Sequence, residues 1–188
     1  LIGADLRQLA AHYRIAIHQN GRLNKGWAGQ TLERHLGAAL NSRQAPDFSG
    51  WELKGVALSF DHAGMPRARE TMAITMFEPA QVIATPFARS HLRRKLRRML
   101  VAGWVGGGAS SGAATLVCAE RFNLAPHIED LVRADYELIS GLLRVYGTSA
   151  VSGSVGEWIQ ARPKGRGHGS NSRAFYARRR LIDLVLRF

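Results

Sequence analysis

Several features that define common protein classes are missing from this sequence. A single cysteine, Cys118, excludes an internal disulfide and fits a reducing compartment. No apolar run approaches the ~18 residues that a membrane span needs, and no signal peptide is visible. The seven histidines are scattered without the spacing of a zinc site. These absences predict a cytoplasmic protein that neither crosses a membrane nor binds zinc.

Acidic residues are also scarce. The chain has 14 Asp and Glu against 26 Lys and Arg, a formal net charge of +12. So basic a domain favours a polyanionic partner, bound through salt-sensitive phosphate contacts. A basic ribosome- or membrane-surface protein is the alternative. The glycine run Gly106 to Gly108 lacks the lysine and the following Ser or Thr of a P-loop, so no nucleotide cofactor is evident.

The length of 188 residues suits one domain, 1–188, with a sizeable core. Hydrophobic periodicity predicts helices over 3–18, 26–37, 88–97, 127–146 and from 181 onwards. It predicts strands over 51–58, 71–77, 100–105, 115–119 and 155–162, the first two joined as a hairpin through a turn at 61–66. No repeat or linker interrupts the chain. The pattern predicts an α/β fold with a central mixed sheet flanked by helices.

One short motif carries chemistry. Asp47 follows Pro46 and precedes Glu52 and Lys54 with the spacing PD-x4-E-x-K, which is typical of a metal-dependent phosphodiesterase centre. Carboxylates supply the hard oxygen ligands that Mg²⁺ prefers. A lysine beside them can stabilise the charge that develops on a phosphate. Glu52 and Lys54 are two apart on a predicted strand and should point to the same face.

The motif alone is also compatible with a solvated strand face, which is common. Glu33, in the predicted helix 26–37, is a third carboxylate that a neighbouring helix could bring to the metal. Its alternative is a capping or surface glutamate.

Further blocks of sequence place the motif in a wider pattern. They are Asn24-Lys25-Gly26-Trp27-Ala28-Gly29, Leu32-Glu33, Leu36-Gly37, Pro46-Asp47-Phe48 and Glu52-Leu53-Lys54, followed by 90–98, 131–138, 156–164 and Phe175-Tyr176. In this order they resemble the MutH mismatch-repair endonucleases and the related Sau-type restriction enzymes, which belong to the PD-(D/E)xK nuclease superfamily. The blocks cover most of residues 24–187, so the resemblance is far more specific than any one motif.

The resemblance implies a restriction-endonuclease-like fold and a Mg²⁺-dependent DNA endonuclease, with Mn²⁺ as a substitute metal. It implies hydrolysis that leaves a 5′-phosphate and a 3′-hydroxyl. Asp47 and Glu52 would be the metal ligands, Lys54 the phosphate- or water-facing cation and Glu33 an auxiliary carboxylate. The residues placed near double-stranded DNA are Lys25, Arg93, Arg94, Lys95, Arg162, Lys164 and Tyr176, with the tyrosine near the base whose methylation is sensed.

The crowding of Arg93, Arg94, Lys95, Arg97 and Arg98 supports a DNA contact, because phosphates would relieve the repulsion between neighbouring turns. Charge runs are otherwise usually solvated faces.

Three roles stay open. A strand-nicking mismatch-repair enzyme of a bacterium would act at an unmethylated GATC-like site with a MutL-type partner. A restriction enzyme would cut both strands, usually as a dimer. A non-catalytic basic module would bind DNA without cleaving it. One departure bears on specificity, because the segment between Lys164 and Phe175 is shorter than the insertion common in the family.

Overall fold

A computed structural model describes residues 1–37, 50–106, 112–164 and 173–188. The predictions for Asp47, for the glycine run beyond Gly106 and for the short loop after Lys164 lie outside the described residues. The fold is α/β, as the sequence predicts. The chain divides into two compact units, one of Leu1–Glu70, Met99–Phe122 and Val185–Phe188, the other of Thr71–Arg98 and Asn123–Leu184. A single domain over 1–188 stays a prediction.

The described helices and strands follow one another along the chain as α and β elements. The helices are α1 (Leu6–His12), α2 (Trp27–His35), α3 (Pro79–Ala84), α4 (His91–Leu96), α5 (Pro126–Tyr146) and α6 (Arg179–Leu186). The strands are β1 (His18–Gln19), β2 (Arg22–Leu23), β3 (Glu52–Phe60), β4 (Pro66–Ala68), β5 (Met72–Phe77), β6 (Arg98–Gly106), β7 (Ala114–Asn123), β8 (Ile159–Pro163) and β9 (Arg173–Ala177). In these described ranges no helix is both long and apolar enough to cross a membrane.

A four-stranded mixed sheet, ordered β4-β3-β6-β7, organises the first unit. β3 runs parallel to β6 and antiparallel to β4. Leu6 of α1 and Leu32 of α2 belong to the same buried cluster as Leu53 of β3 and Leu116 of β7. Because successive side chains of a strand alternate, Leu53 faces these helices and Glu52 and Lys54 face the other way.

A three-stranded antiparallel sheet, ordered β5-β9-β8, organises the second unit. Its inner face packs aromatic rings: Phe175 of β9 lies 4.3 Å from Phe77 and 5.6 Å from Tyr136 of α5, measured between ring centroids. The Tyr136 hydroxyl donates to the carbonyl of Thr85 at 2.8 Å, just after α3. Burial raises the pKa of Tyr136, so this hydroxyl keeps its proton and remains a donor.

Three predictions about local structure are wrong. The helix over 3–18 ends at His12, because Arg14 has a left-handed φ of 55° that no helix accommodates. The partner of β3 across the turn at 61–66 is β4, whereas residues 72–77 form β5 of the other sheet. The basic helix over 88–97 is shortened to α4, which begins at His91. Its N-cap is Ser90, whose hydroxyl accepts from the Arg93 N–H at 3.1 Å.

Candidate active site and nucleic-acid interface

The first half of β3 carries an ion pair between a buried carboxylate and a half-buried lysine. The Lys54 Nζ lies 2.7 Å from the Glu52 Oε1, and Glu52 is only 3% exposed. In the parallel register Glu52 lies beside Met99 and Lys54 beside Val101, both fully buried. Charges in such an apolar setting are costly unless they are paired. The pair is therefore held at one place, and the prediction that both side chains share a face is confirmed.

Of the other two predicted catalytic residues, Glu33 lies within the described residues and Asp47 does not. Glu33 is half-buried on α2, next to Leu32, and α2 packs against β3. The helix of Glu33 therefore lies on the Leu53 side of β3, whereas Glu52 and Lys54 point from the other side of that strand. Asp47 lies outside the described residues, so its position relative to Glu52 stays a prediction.

The donor chemistry of Glu52 fits a divalent metal, because a carboxylate oxygen is a hard ligand. Within the described residues, no three His, Cys, Asp or Glu side chains converge as a metal site. The proposed second ligand, Asp47, is outside that set. The fit to a metal therefore rests on the Glu52 carboxylate and on the predicted contribution of Asp47.

The cations on α4 are not equivalent. Arg94 is exposed, Lys95 is buried with 8% exposure, and Arg93 forms an ion pair with Glu129 of α5, with its Nε 2.6 Å from the Oε1. The hydrogen bond that Arg93 donates to the Glu129 carboxylate raises the pKa of Arg93. Burial, together with the charges of Arg94 and Lys95, lowers the pKa of His91. Of these three cations on α4, Arg94 is therefore the exposed one.

Arg162 and Tyr176 meet on the outer face of the three-stranded sheet. In the register of β8 with β9, Tyr176 is opposite Gln160, and Arg162 is opposite Ala174. Phe175, the neighbour of Tyr176, points into the core, so Tyr176 points outward and is half-buried. The Arg162 Cζ lies 5.7 Å from the Tyr176 ring centroid. Tyr176 is thus not a core aromatic, and the two residues form one outward-facing pair.

Lys25 and Lys164 are exposed, at two different ends of secondary structure. Lys25 lies two residues before Trp27, where α2 begins, and Lys164 follows directly after β8.

Comparison with known proteins identifies the family. The family model described as DNA mismatch repair enzyme MutH matches residues 36–109. The DNA mismatch repair protein MutH of Serratia proteamaculans is 31% identical over 93% of this chain and 74% of its own length. The corresponding protein of Actinobacillus pleuropneumoniae is 30% identical over 94% of this chain and 76% of its own, and that of Vibrio cholerae 29% over 100% and 84%. The chain belongs to the MutH family.

The sequence did not predict that Asp135, a residue of α5, supports the start of β8. The carboxylate of Asp135, buried in α5, accepts the backbone N–H groups of Glu157, Trp158 and Ile159 at 2.7–3.0 Å. Gly156 completes the turn with a φ of +83°, and a Cβ there would lie 2.2 Å from the Ile159 carbonyl oxygen. Asp135 therefore fixes the start of β8, the strand that carries Arg162.

An aspartate inside a helix and a glycine 21 positions later give no local sign of this contact in the sequence. A buried carboxylate that accepts consecutive N–H groups is recognisable only once the turn is folded against the helix.

Proposed function

We propose that this protein is a metal-dependent DNA endonuclease of mismatch repair that nicks one strand at a GATC-like site unmethylated at adenine. The observation that carries the proposal is the Glu52–Lys54 pair on β3, with its buried carboxylate, at the spacing of a phosphodiesterase motif, in a chain of the MutH family. A surface pair would be expected to be solvated, whereas this carboxylate is 3% exposed.

In this proposal Asp47 and Glu52 hold Mg²⁺, with the Leu53 carbonyl as a third ligand and Mn²⁺ as a substitute. When bound, the metal supplies polarisation of the phosphoryl oxygen and a more acidic water. The Lys54 ammonium stabilises the charge on the phosphate in the transition state or positions the water. Glu33 is an auxiliary carboxylate from α2. A new bond forms between the water oxygen and phosphorus, and the bond from phosphorus to the 3′ oxygen breaks.

The products are a 5′-phosphate and a 3′-hydroxyl. Because the 3′ oxygen leaves as an alkoxide, it takes up a proton as the bond breaks. The ion pair with Glu52 keeps the Lys54 ammonium on the same face of β3 as the proposed metal ligand.

The cations proposed to hold DNA are Lys25, Arg93, Arg94, Lys95, Arg162 and Lys164. The outward pair of Arg162 and Tyr176 reads the site. A ring beside the adenine amine loses its fit when that amine is methylated. A MutL-type protein is the proposed activator, and the bacterial cytoplasm the proposed location.

The test is cleavage of methylated and unmethylated plasmid with Mg²⁺ or EDTA. We expect nicked circles from unmethylated plasmid with Mg²⁺ only. Glu52→Gln, which keeps size but removes the charge, should bind the plasmid and leave it intact. Linear product would favour a restriction enzyme that cuts both strands. Binding without metal-dependent cleavage by the parent protein would support a non-catalytic DNA-binding module and overturn the proposal.

A further inference from the structure

A small β-ribbon of the first unit has no part in the chemistry above. β1 and β2 pair antiparallel, with His18 opposite Leu23 and Gln19 opposite Arg22. Asn20 and Gly21 join them with φ values of 51° and 71°. Two positive φ values in succession are typical of the type I′ hairpin turn, for which Asn-Gly is the favoured pair. Every residue of this ribbon, 18–23, is exposed.

The base of the ribbon is fastened to the protein. Ile15 and Ile17 pack against the core of the first unit. The Asn24 backbone N–H donates to the Ile17 carbonyl at 2.8 Å, and its side-chain Nδ2 donates to the Ala16 carbonyl at 3.0 Å. A two-stranded hairpin is marginal on its own, so these contacts at its base hold the exposed tip in a defined position.

The ribbon lies in a stretch of chain without negative charge. Between Asp5 and Glu33 there is no Asp or Glu, whereas Arg7, Arg14, Arg22 and Lys25 are all present. Among the described residues Arg22 has no ion-pair partner. The side-chain amides of Gln19 and Asn20 add donors and acceptors beside it. Cations that bind phosphates and amides that bond to base edges are the two kinds of group that protein–DNA contacts use.

We propose that the ribbon is a DNA-contacting element that enters the major groove beside the cleavage site. Paired strands lie ~4.8 Å apart, and a groove ~12 Å wide admits a two-stranded ribbon. The order of elements along the chain supports a position beside the cleavage site. The ribbon is followed by Lys25 and then by α2, and α2 packs against β3, the strand of Glu52 and Lys54. The inference rests on the proposed function, because it takes DNA as the substrate.

The first test compares two arginines of equal charge. Arg22→Ala and the control Arg121→Ala, exposed on β7, are titrated with a labelled duplex in EDTA over a series of KCl concentrations. Loss of one phosphate contact should reduce the slope of log affinity against log salt by about 0.9 in Arg22→Ala. The control should keep the parent slope. Equal effects of both substitutions, or an unchanged slope in Arg22→Ala, would overturn the ribbon contact.

The second test asks where the ribbon lies. p-Benzoylphenylalanine in place of Gln19 should crosslink to the duplex on irradiation, whereas the same group in place of Ala119, also exposed, should not. Failure to crosslink from Gln19 in a protein that still binds the duplex would contradict the proposal.

The two proposals fail in different ways. Parent protein that binds DNA but does not cleave it with Mg²⁺ contradicts the nuclease and leaves the ribbon measurable. Parent protein that cleaves, together with an unaffected Arg22→Ala, contradicts the ribbon alone. Parent protein that does not bind DNA overturns both.

Discussion

The functional side chains proposed on β3 and those proposed on β8 and β9 differ in their burial and in their bonding. On β3, Glu52 and Lys54 are bonded to each other beside fully buried Met99 and Val101. On β8 and β9, Arg162 is exposed and Tyr176 half-buried, with 5.7 Å between guanidinium carbon and ring centroid. The groups proposed to act at the transition state are thus bonded to each other with the carboxylate buried, whereas the arginine proposed to read DNA is exposed.

The two regions also differ in how their backbone is supported. β3 pairs with β6 from Glu52 to Leu58, and β4 pairs with it only from Leu58 to Phe60. β8 is an edge strand of its sheet, and Asp135 supports its start from α5 through three backbone N–H groups. An exposed recognition strand therefore depends on a buried side chain of a helix for its position.

The largest effect is expected on the cleavage rate, from a substitution that removes the ion pair of β3. Lys54→Met keeps much of the side-chain length but removes the ammonium, and we expect cleavage to slow by about 10²–10³-fold, because such a charge acts at the transition state. Single-turnover cleavage of an unmethylated duplex measures the rate, and affinity in EDTA should stay within a few-fold of the parent. A thermal melt controls for the unpaired Glu52.

A small effect of Lys54→Met on the single-turnover rate would show that the Glu52–Lys54 pair is structural. The two regions would then differ in burial but not in a catalytic role of β3.

The local alternation of apolar and polar residues predicts strand β3, but it does not predict the contact from Asp135 that supports β8. The apolar alternation around Glu52 and Lys54 places both on one face of a strand, because that periodicity is a local property. The contact from Asp135 to Ile159 spans 24 positions, and β9 pairs Tyr176 with Ala73 of β5. Pairings that close such long loops have no local signature.

The ribbon at 18–23 could have been predicted. Asn20-Gly21 is a strong local hairpin signal. The apolar residues from Ile2 to Ile17 recur at helical spacing, however, and this longer pattern predicts a helix up to residue 18. The structure ends the helix at His12, and the remaining apolar positions Ile15 and Ile17 serve instead as the anchored base of the ribbon.

The next effect in size concerns the support of β8. Asp135→Ala leaves the buried N–H of Ile159 and those of Glu157 and Trp158 without their acceptor, and we expect about 3 kcal/mol lower free energy of unfolding. Asp135→Asn keeps an acceptor oxygen and should lose less. Urea denaturation of both variants provides the measurement. Equal stability of Asp135→Ala and the parent would mean that β8 holds its position without the helix.

A smaller effect is expected on discrimination between sites. Tyr176→Ala should narrow the difference in cleavage rate between unmethylated and adenine-methylated duplexes, since the outward ring that senses the added methyl group is gone. Tyr176→Phe keeps the ring and should retain most of the discrimination. Arg162→Ala should lower the rate on the preferred sequence towards that on near-cognate sequences.

Rates on matched oligonucleotides, with a thermal melt of each variant, separate these effects from loss of stability. If Tyr176→Ala lowers the melting temperature and leaves methylation preference intact, the ring is only a packing group on the outer face of the sheet.

The smallest effect distinguishes two neighbouring cations of α4. Arg94 is exposed, whereas the Arg93 guanidinium is already bonded to Glu129 at 2.6 Å. Arg94→Ala should therefore reduce the slope of log affinity against log salt by about 0.9, the value for one lost phosphate contact. Arg93→Ala should change that slope less, because its charge is partly neutralised within the protein. In the double variant Arg93→Ala with Glu129→Gln the uncompensated carboxylate is also removed, so its slope should lie closer to that of the parent than the slope of Arg94→Ala does. Equal slopes in Arg93→Ala and Arg94→Ala would show that DNA draws Arg93 away from Glu129, and that both cations of this helix bind phosphate.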